Sequence, residues 1–243
     1  MAARARIVLI AYFPVIVLAL SSCSPRRHGV SEEKTNRLLT DGKVITKVEK
    51  IPGCETLLGE VIGVVGASQE KVWRVICDYN EHKHFMPNIL ECFAIRPEAL
   101  ELIKGKSPRE LRGLESQLRQ YKTDEIAGEV VYIYGVGNFP GPWPDKGHIL
   151  KIARDRDRYV THATMVIGQM KVNESFWELK PYGADGSKTL VKYRLLLDPG
   201  MPAPGFVIEM STSSILPKVV DAVRQRVKNA SYEHPGKEGR QAG

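Results

Sequence analysis

Cysteine is scarce and poorly spaced for chemistry. Only Cys23, Cys54, Cys77 and Cys92 occur among 243 residues, and no two have the CxxC spacing of a zinc or dithiol site. A glycine-rich phosphate loop, a GxSxG elbow and an HExxH helix are all missing, which removes the usual sequence signatures of nucleotide binding, serine hydrolysis and zinc proteolysis. Aromatic residues make up 7% of the chain, and none is interleaved with the basic cluster Arg224, Arg226 and Lys228, so nothing supports a nucleic-acid partner. No apolar run reaches the roughly 20 residues that a membrane-spanning helix needs. Neither sign of charge dominates, since 26% of residues are charged for a net +7, and the 43% that are apolar suffice for a sizeable core. The positive excess reads first as a solvated surface and secondly as one suited to an anionic bilayer.

The first residues read as an address. Residues 1–6 are basic through Arg4 and Arg6, and residues 7–20 are apolar apart from Tyr12 and Pro14. Charge, then a short apolar run, then small residues is the order of a secretory signal peptide. The run ends in Leu20-Ser21-Ser22-Cys23, which resembles the lipobox of bacterial lipoproteins. That resemblance implies removal of residues 1–22, diacylglycerol transfer to the Cys23 thiol and acylation of the freed amine. Two or three acyl chains make a stable anchor at about 0.8 kcal/mol per buried CH₂, whereas one is marginal. Ser24 rather than aspartate follows the cysteine, which favours the outer membrane and a periplasm-facing domain. The alternatives are an ordinary signal peptide with an incidental cysteine, or an uncleaved anchor. Cys54, Cys77 and Cys92 then remain. They allow one disulfide at most, and the apolar setting of Cys77 and Cys92 equally suits buried thiols.

Residues 23–41 read as a tether with a small helix at 32–39, and residues 231–243 as a flexible tail. Between them, residues 44–50 and 56–65 have strand character around Pro52-Gly53. Ser68 is a suitable N-cap for a short helix carrying Val72, Trp73, Val75 and Ile76. A second short helix over 78–86 stops at Pro87, and residues 89–96 are strand-like. Residues 97–123 have helical patterning. A capping box at Ser107-Pro108-Arg109-Glu110 precedes a stripe of Leu111, Leu114, Leu118 and Tyr121. Strands follow at 129–136, 147–153, 159–168, 172–180 and 188–197. The last alternates most cleanly, with Thr189, Val191, Tyr193, Leu195 and Leu197 on one face and Lys188, Lys192 and Arg194 on the other, as in a sheet with one wet face. A helix over 204–229 closes the chain, with Leu216, Val219, Val220, Val223 and Val227 as its stripe and Pro217 expected to kink it or begin a new turn.

Several short patterns then acquire meaning together. Val72-Trp73, Asp78-Tyr79 and Phe85-Met86-Pro87, then Gly141-Pro142-Trp143-Pro144, Trp177-Glu178-Leu179 with Pro181, and Asp198-Pro199-Gly200 follow one another as in the START and polyketide-cyclase-like superfamily, which residues 42–230 resemble. The resemblance implies an α+β helix-grip fold, a curved antiparallel sheet wrapped around a long C-terminal helix with an internal apolar cavity. Two features depart from the pattern. Asp145-Lys146-Gly147-His148 stands where relatives often carry an Arg-Asp pair. Residues 97–123 look inserted, as a cap for the cavity mouth, a partner site or a surface excursion.

The expected ligand-lining residues are Tyr193 and Leu195 on the inner strand face, Phe206, Met210 and Ile215 on the helix, and Trp143 closing one end. Ordinary core packing is the competing reading for each. His82 and His84 flank Lys83 and point apart on a short helix, so no metal site is expected, and nothing calls for a cofactor. His148 and His162 sit on expected strands, where either donates to a ligand carbonyl or lies on the wet face. Asp155-Arg156-Asp157-Arg158 reads as a solvated turn. The function implied is binding, with transport or sensing, of a lipid, sterol, hopanoid or quinone at a membrane. The alternatives are a cyclase or dehydratase working in the same cavity, for which no confident acid or base stands out, and a periplasmic interaction module with an unidentified protein partner.

Overall fold

The computed structural model describes residues 32–126, 128–139, 143–200 and 205–229. The signal segment, Cys23, Gly141-Pro142 and the 231–243 tail lie outside the described residues. In chain order the elements are α1 (Glu32–Thr40), β1 (Ile45–Lys50), β2 (Leu57–Val65), α2 (Gln69–Cys77), the one-turn α3 (His82–Phe85), β3 (Ile89–Ile95), α4 (Glu115–Arg119), β4 (Val130–Gly137), β5 (Lys146–Asp155), β6 (Val160–Gly168), β7 (Val172–Tyr182), β8 (Lys188–Asp198) and α5 (Gly205–Arg226). The eight strands form one antiparallel sheet in the order β1-β2-β8-β7-β6-β5-β4-β3. So long a sheet twists and curls, and its concave side is what α5 crosses.

Local chemistry explains the joints. Ser68 caps α2 by accepting the Lys71 N–H at 3.4 Å. The β7–β8 hairpin turns through Gly183 and Gly186, whose φ values of 87° and 63° strain any residue with a Cβ. Along β2 the inward positions are Leu57, Gly59, Val61, Gly63 and Val65, and the two glycines match two α5 side chains. A Cβ on Gly59 would lie 2.7 Å from Leu216 Cδ1, and one on Gly63 the same distance from Val220 Cγ1. Glycines four apart on the strand thus let residues four apart on the helix press onto the sheet. Leu216, Val219, Val220, Val223 and Val227, the expected stripe, are all buried there. The helix runs on through Pro217 rather than starting anew there: packing of that stripe on the sheet outweighs the loss of one backbone hydrogen bond.

Residues 97–123 differ from expectation in form and place. They make 3-10 turns at Pro97–Ile103 and Leu111–Leu114 and only the five-residue α4. Glu110 does accept the Ser107 N–H at 2.8 Å, as the capping box requires, but no long helix follows. The segment covers the outer face of β3–β5 rather than the cavity mouth. Its Ala99, Ile103, Leu111 and Leu118 join Phe93, Ile95, Tyr134, Val136 and Ile149 in a second core. Elsewhere the outer face is wet, as where Glu60 pairs with Lys192 at 3.0 Å and Arg194 lies over Phe176. Among the described residues, no helix is long and apolar enough to cross a membrane.

Candidate ligand cavity

Because α5 presses onto β2, it stands off from the strands beyond. A cavity of about 260 Å³ remains between the helix, α3 and the concave face of β3–β8. That is near the lower end of the ~300–1,000 Å³ typical of small-molecule sites. Each wall follows from periodicity. Inward residues alternate along the strands, as with Leu150 and Ile152 on β5, Thr161 and Ala163 on β6, Ser175 and Trp177 on β7, and Tyr193, Leu195 and Leu197 on β8. The helix contributes Val207, Ile208, Ser211, Thr212, Ile215, Leu216 and Val219, a recurrence of three and four. Pro87, Asn138, Phe139 and Trp143 border one end, near the first turns of α5.

The polar groups in this wall are in the minority and, Glu91 apart, uncharged. Burial pushes the His82 imidazole down to about 4, against a weaker opposing pull from its 3.1 Å contact between Nε2 and the Ile76 carbonyl. Burial does the same to His148, also to about 4; the surface its ring retains faces the cavity rather than bulk water. The Lys146 backbone beside it opposes the shift without forming a well-aligned hydrogen bond to Nδ1. Burial pushes the Tyr193 phenol up to about 12, and its ring stacks 4.5 Å from that of Trp177, its direct partner across the β7–β8 ladder. Glu91 is the one carboxylate among the described lining residues. Burial raises its pKa, but hydrogen bonds from Lys83 and Arg119 prevail and hold it below the usual range. Cys77 and Cys92 are buried free thiols raised by burial to about 11 and about 12, and Cys54 is free and exposed.

The family described as polyketide cyclase / dehydrase and lipid transport matches residues 65–224. The chain belongs to this family. No curated protein matches the sequence. Among solved structures it is similar to a STAR-related lipid transfer protein from Xanthomonas axonopodis, with a TM-score of 0.57 and 13% identity over 76% of this chain and 94% of that one. It is also similar to the Zhui aromatase/cyclase from Streptomyces sp. R1128, with a TM-score of 0.52 and 11% identity over 72% of this chain and 98% of that one. Human STARD10 matches with a TM-score of 0.52 and 11% identity over 84% of this chain and 82% of that one. These likenesses establish the helix-grip fold expected from the sequence.

In this polyketide cyclase / dehydrase and lipid transport domain, the cavity brings together Trp143, Tyr193, Leu195 and Ile215 of the residues expected to line it. The side chain of Phe206 lies outside the described residues. Met210 does not belong to the cavity and is 63% exposed. The inward stripe of α5 passes through 207–208, 211–212 and 215–216, which leaves position 210 on the outer side. The two strand histidines separate: His148 faces the cavity, whereas His162 is exposed on the outer face and pairs with Glu174. Sequence reasoning did not assign Trp177, Asn173 or Thr212 to the wall. Trp177 carried a signal all the same, because its parity on β7 follows from that of Leu179. Among the described residues no group of histidine, cysteine and carboxylate side chains has the geometry to hold a metal.

Proposed function

We propose that the protein holds one hydrophobic molecule between α5 and the sheet and carries or presents it at a membrane to which Cys23 tethers the chain. The observation that supports this reading is the cavity itself, a space of about 260 Å³ walled mostly by aliphatic and aromatic side chains. The family's description includes lipid transport, and the STAR-related relative is by name a lipid transfer protein. A sterol, hopanoid, quinone or acyl lipid suits such a wall. A tether at residue 23 would keep the cavity mouth at high effective concentration next to the bilayer. Exchange would proceed by movement of the first turns of α5, which border the cavity end near Trp143.

The presence of His148 in the wall favours, as a second reading, a cyclase or dehydratase using the same space. A histidine held near 4 is neutral at pH 7 and too weakly basic to be a good proton acceptor, so binding accounts for it better. Organic extraction of the purified protein and mass spectrometry test both readings. Recovery of one equivalent of an unaltered hydrophobic molecule supports the carrier. A ligand converted on incubation, with conversion abolished in His148→Ala, supports the enzyme. Empty protein that binds no uncharged hydrophobic dye overturns both.

A further inference from the structure

One row of residues across the sheet breaks the pattern of the wall. In the antiparallel register His148 on β5 lies directly opposite Gly135 on β4 and Gly168 on β6. Both glycines are occupied by the histidine's bulk. A Cβ on Gly135 would stand 2.7 Å from His148 Nε2, and a Cβ on Gly168 would stand 2.9 Å from its Cβ. The imidazole therefore lies across Gly135 with no side chain beside it on β4, while on the β6 side the Met165 side chain shares the space over Gly168. Its nitrogens are poorly served among the described residues: Nδ1 is buried with only the misaligned Lys146 backbone beside it, and no partner meets Nε2. A neutral imidazole carries one donor and one acceptor, and leaving both unused in an apolar wall is costly unless something else meets them.

A second observation limits what that something is. Among the described residues no lysine or arginine lines the cavity, and Glu91, the only charged lining residue among them, is already paired with Lys83 and Arg119. A carboxylate or phosphate drawn inside would find no counter-charge and would keep its desolvation cost in full.

We propose that the Nε2 edge of His148 is the polar anchor of the cavity, and that the molecule held there is an apolar body bearing one uncharged hydroxyl or carbonyl that bonds to it. This inference rests on the cavity being a ligand site. The glycine at 135 then has a role beyond space, since it leaves the Nε2 edge of the ring open to the ligand.

The test uses the purified protein, Nile red as an uncharged reporter of cavity occupancy, and competition by 1-decanol, 1-chlorodecane and decanoate. An alcohol serves either imidazole tautomer. His148→Leu should weaken decanol by about tenfold, the worth of one buried hydrogen bond, and change chlorodecane by less than about twofold. His148→Gln, which keeps a donor and an acceptor, should retain much of the preference for decanol. Decanoate at pH 8 should bind the wild-type protein at least about tenfold more weakly than decanol. Equal effects of His148→Leu on decanol and chlorodecane, or decanoate binding as tightly as decanol, overturn the proposal while leaving the cavity reading intact. Failure of Nile red and all three competitors to bind wild-type protein overturns the cavity reading as well. Should the variants not fold, the ¹⁵N shifts of the His148 ring in wild-type protein decide: they must move with decanol and not with chlorodecane, and an unresponsive ring refutes the anchor.

Discussion

Two histidines in the cavity wall should make this domain acid-sensitive well before its carboxylates titrate. His82 and His148 are each held at about 4 against an ordinary 6.5, in both cases mainly by burial. The unfolded chain therefore binds protons that the folded one refuses. Their contribution to stability is complete above about pH 6.5 and is lost as pH falls towards 4, with a slope approaching 1.4 kcal/mol per pH unit for each group. Between pH 7.5 and 5.5 the loss comes to about 1.4 kcal/mol per histidine, or about 2.7 kcal/mol for the two. Urea unfolding at both pH values and constant ionic strength measures it. His82→Phe isolates one share, because a phenyl ring can keep the edge contacts with Tyr79 at 5.3 Å and Phe85 at 5.4 Å while removing the titratable group. The variant should be less stable at pH 7.5, since the Ile76 carbonyl loses its partner, yet lose about 1.4 kcal/mol less on acidification. Surface histidines contribute equally to both proteins and cancel. A variant that loses as much stability as the wild type would show that His82 is not held neutral by burial, and the argument for His148, which rests on the same cause, would weaken with it.

Three further outcomes are expected. Leu195→Trp should abolish Nile red binding with a change in melting temperature of no more than a few degrees, because the added ring enters open space; a loss of about 1–3 kcal/mol, as for an overpacked core, would remove Leu195 from the cavity wall. Leu111→Ala should cost about 2–5 kcal/mol while leaving ligand stoichiometry unchanged, because it opens the outer core and not the cavity; loss of binding in a folded Leu111→Ala protein would show that residues 97–123 act on the site. Cys23→Ala should abolish acylation and release the protein from membranes on fractionation, and normal membrane retention of that variant would refute the anchor.

Much of this arrangement could be read along the chain because it is local. The period-2 alternation of residues 188–197 placed Tyr193 and Leu195 on the inner face, the recurrence at three and four placed Leu216 and Val220 on the helix's packed side, and Ser68 marked the start of α2. Each depends on a single element's geometry. Three decisions lay beyond that reach. On β5 His148 faces the cavity and the next residue, Ile149, lies in the second core because residues 97–123 cover it, so the alternation that would have separated His148 from His162 is masked. Met210 fell in an apolar helix but on its outer side, and only the docking of α5 against Gly59 and Gly63 sets which side is which. The row of Gly135, His148 and Gly168 joins residues from three strands. Sequence periodicity states which residues of one strand share a face. Which residues of neighbouring strands stand opposite one another is set by register, and register is decided only when the whole sheet closes around its helix.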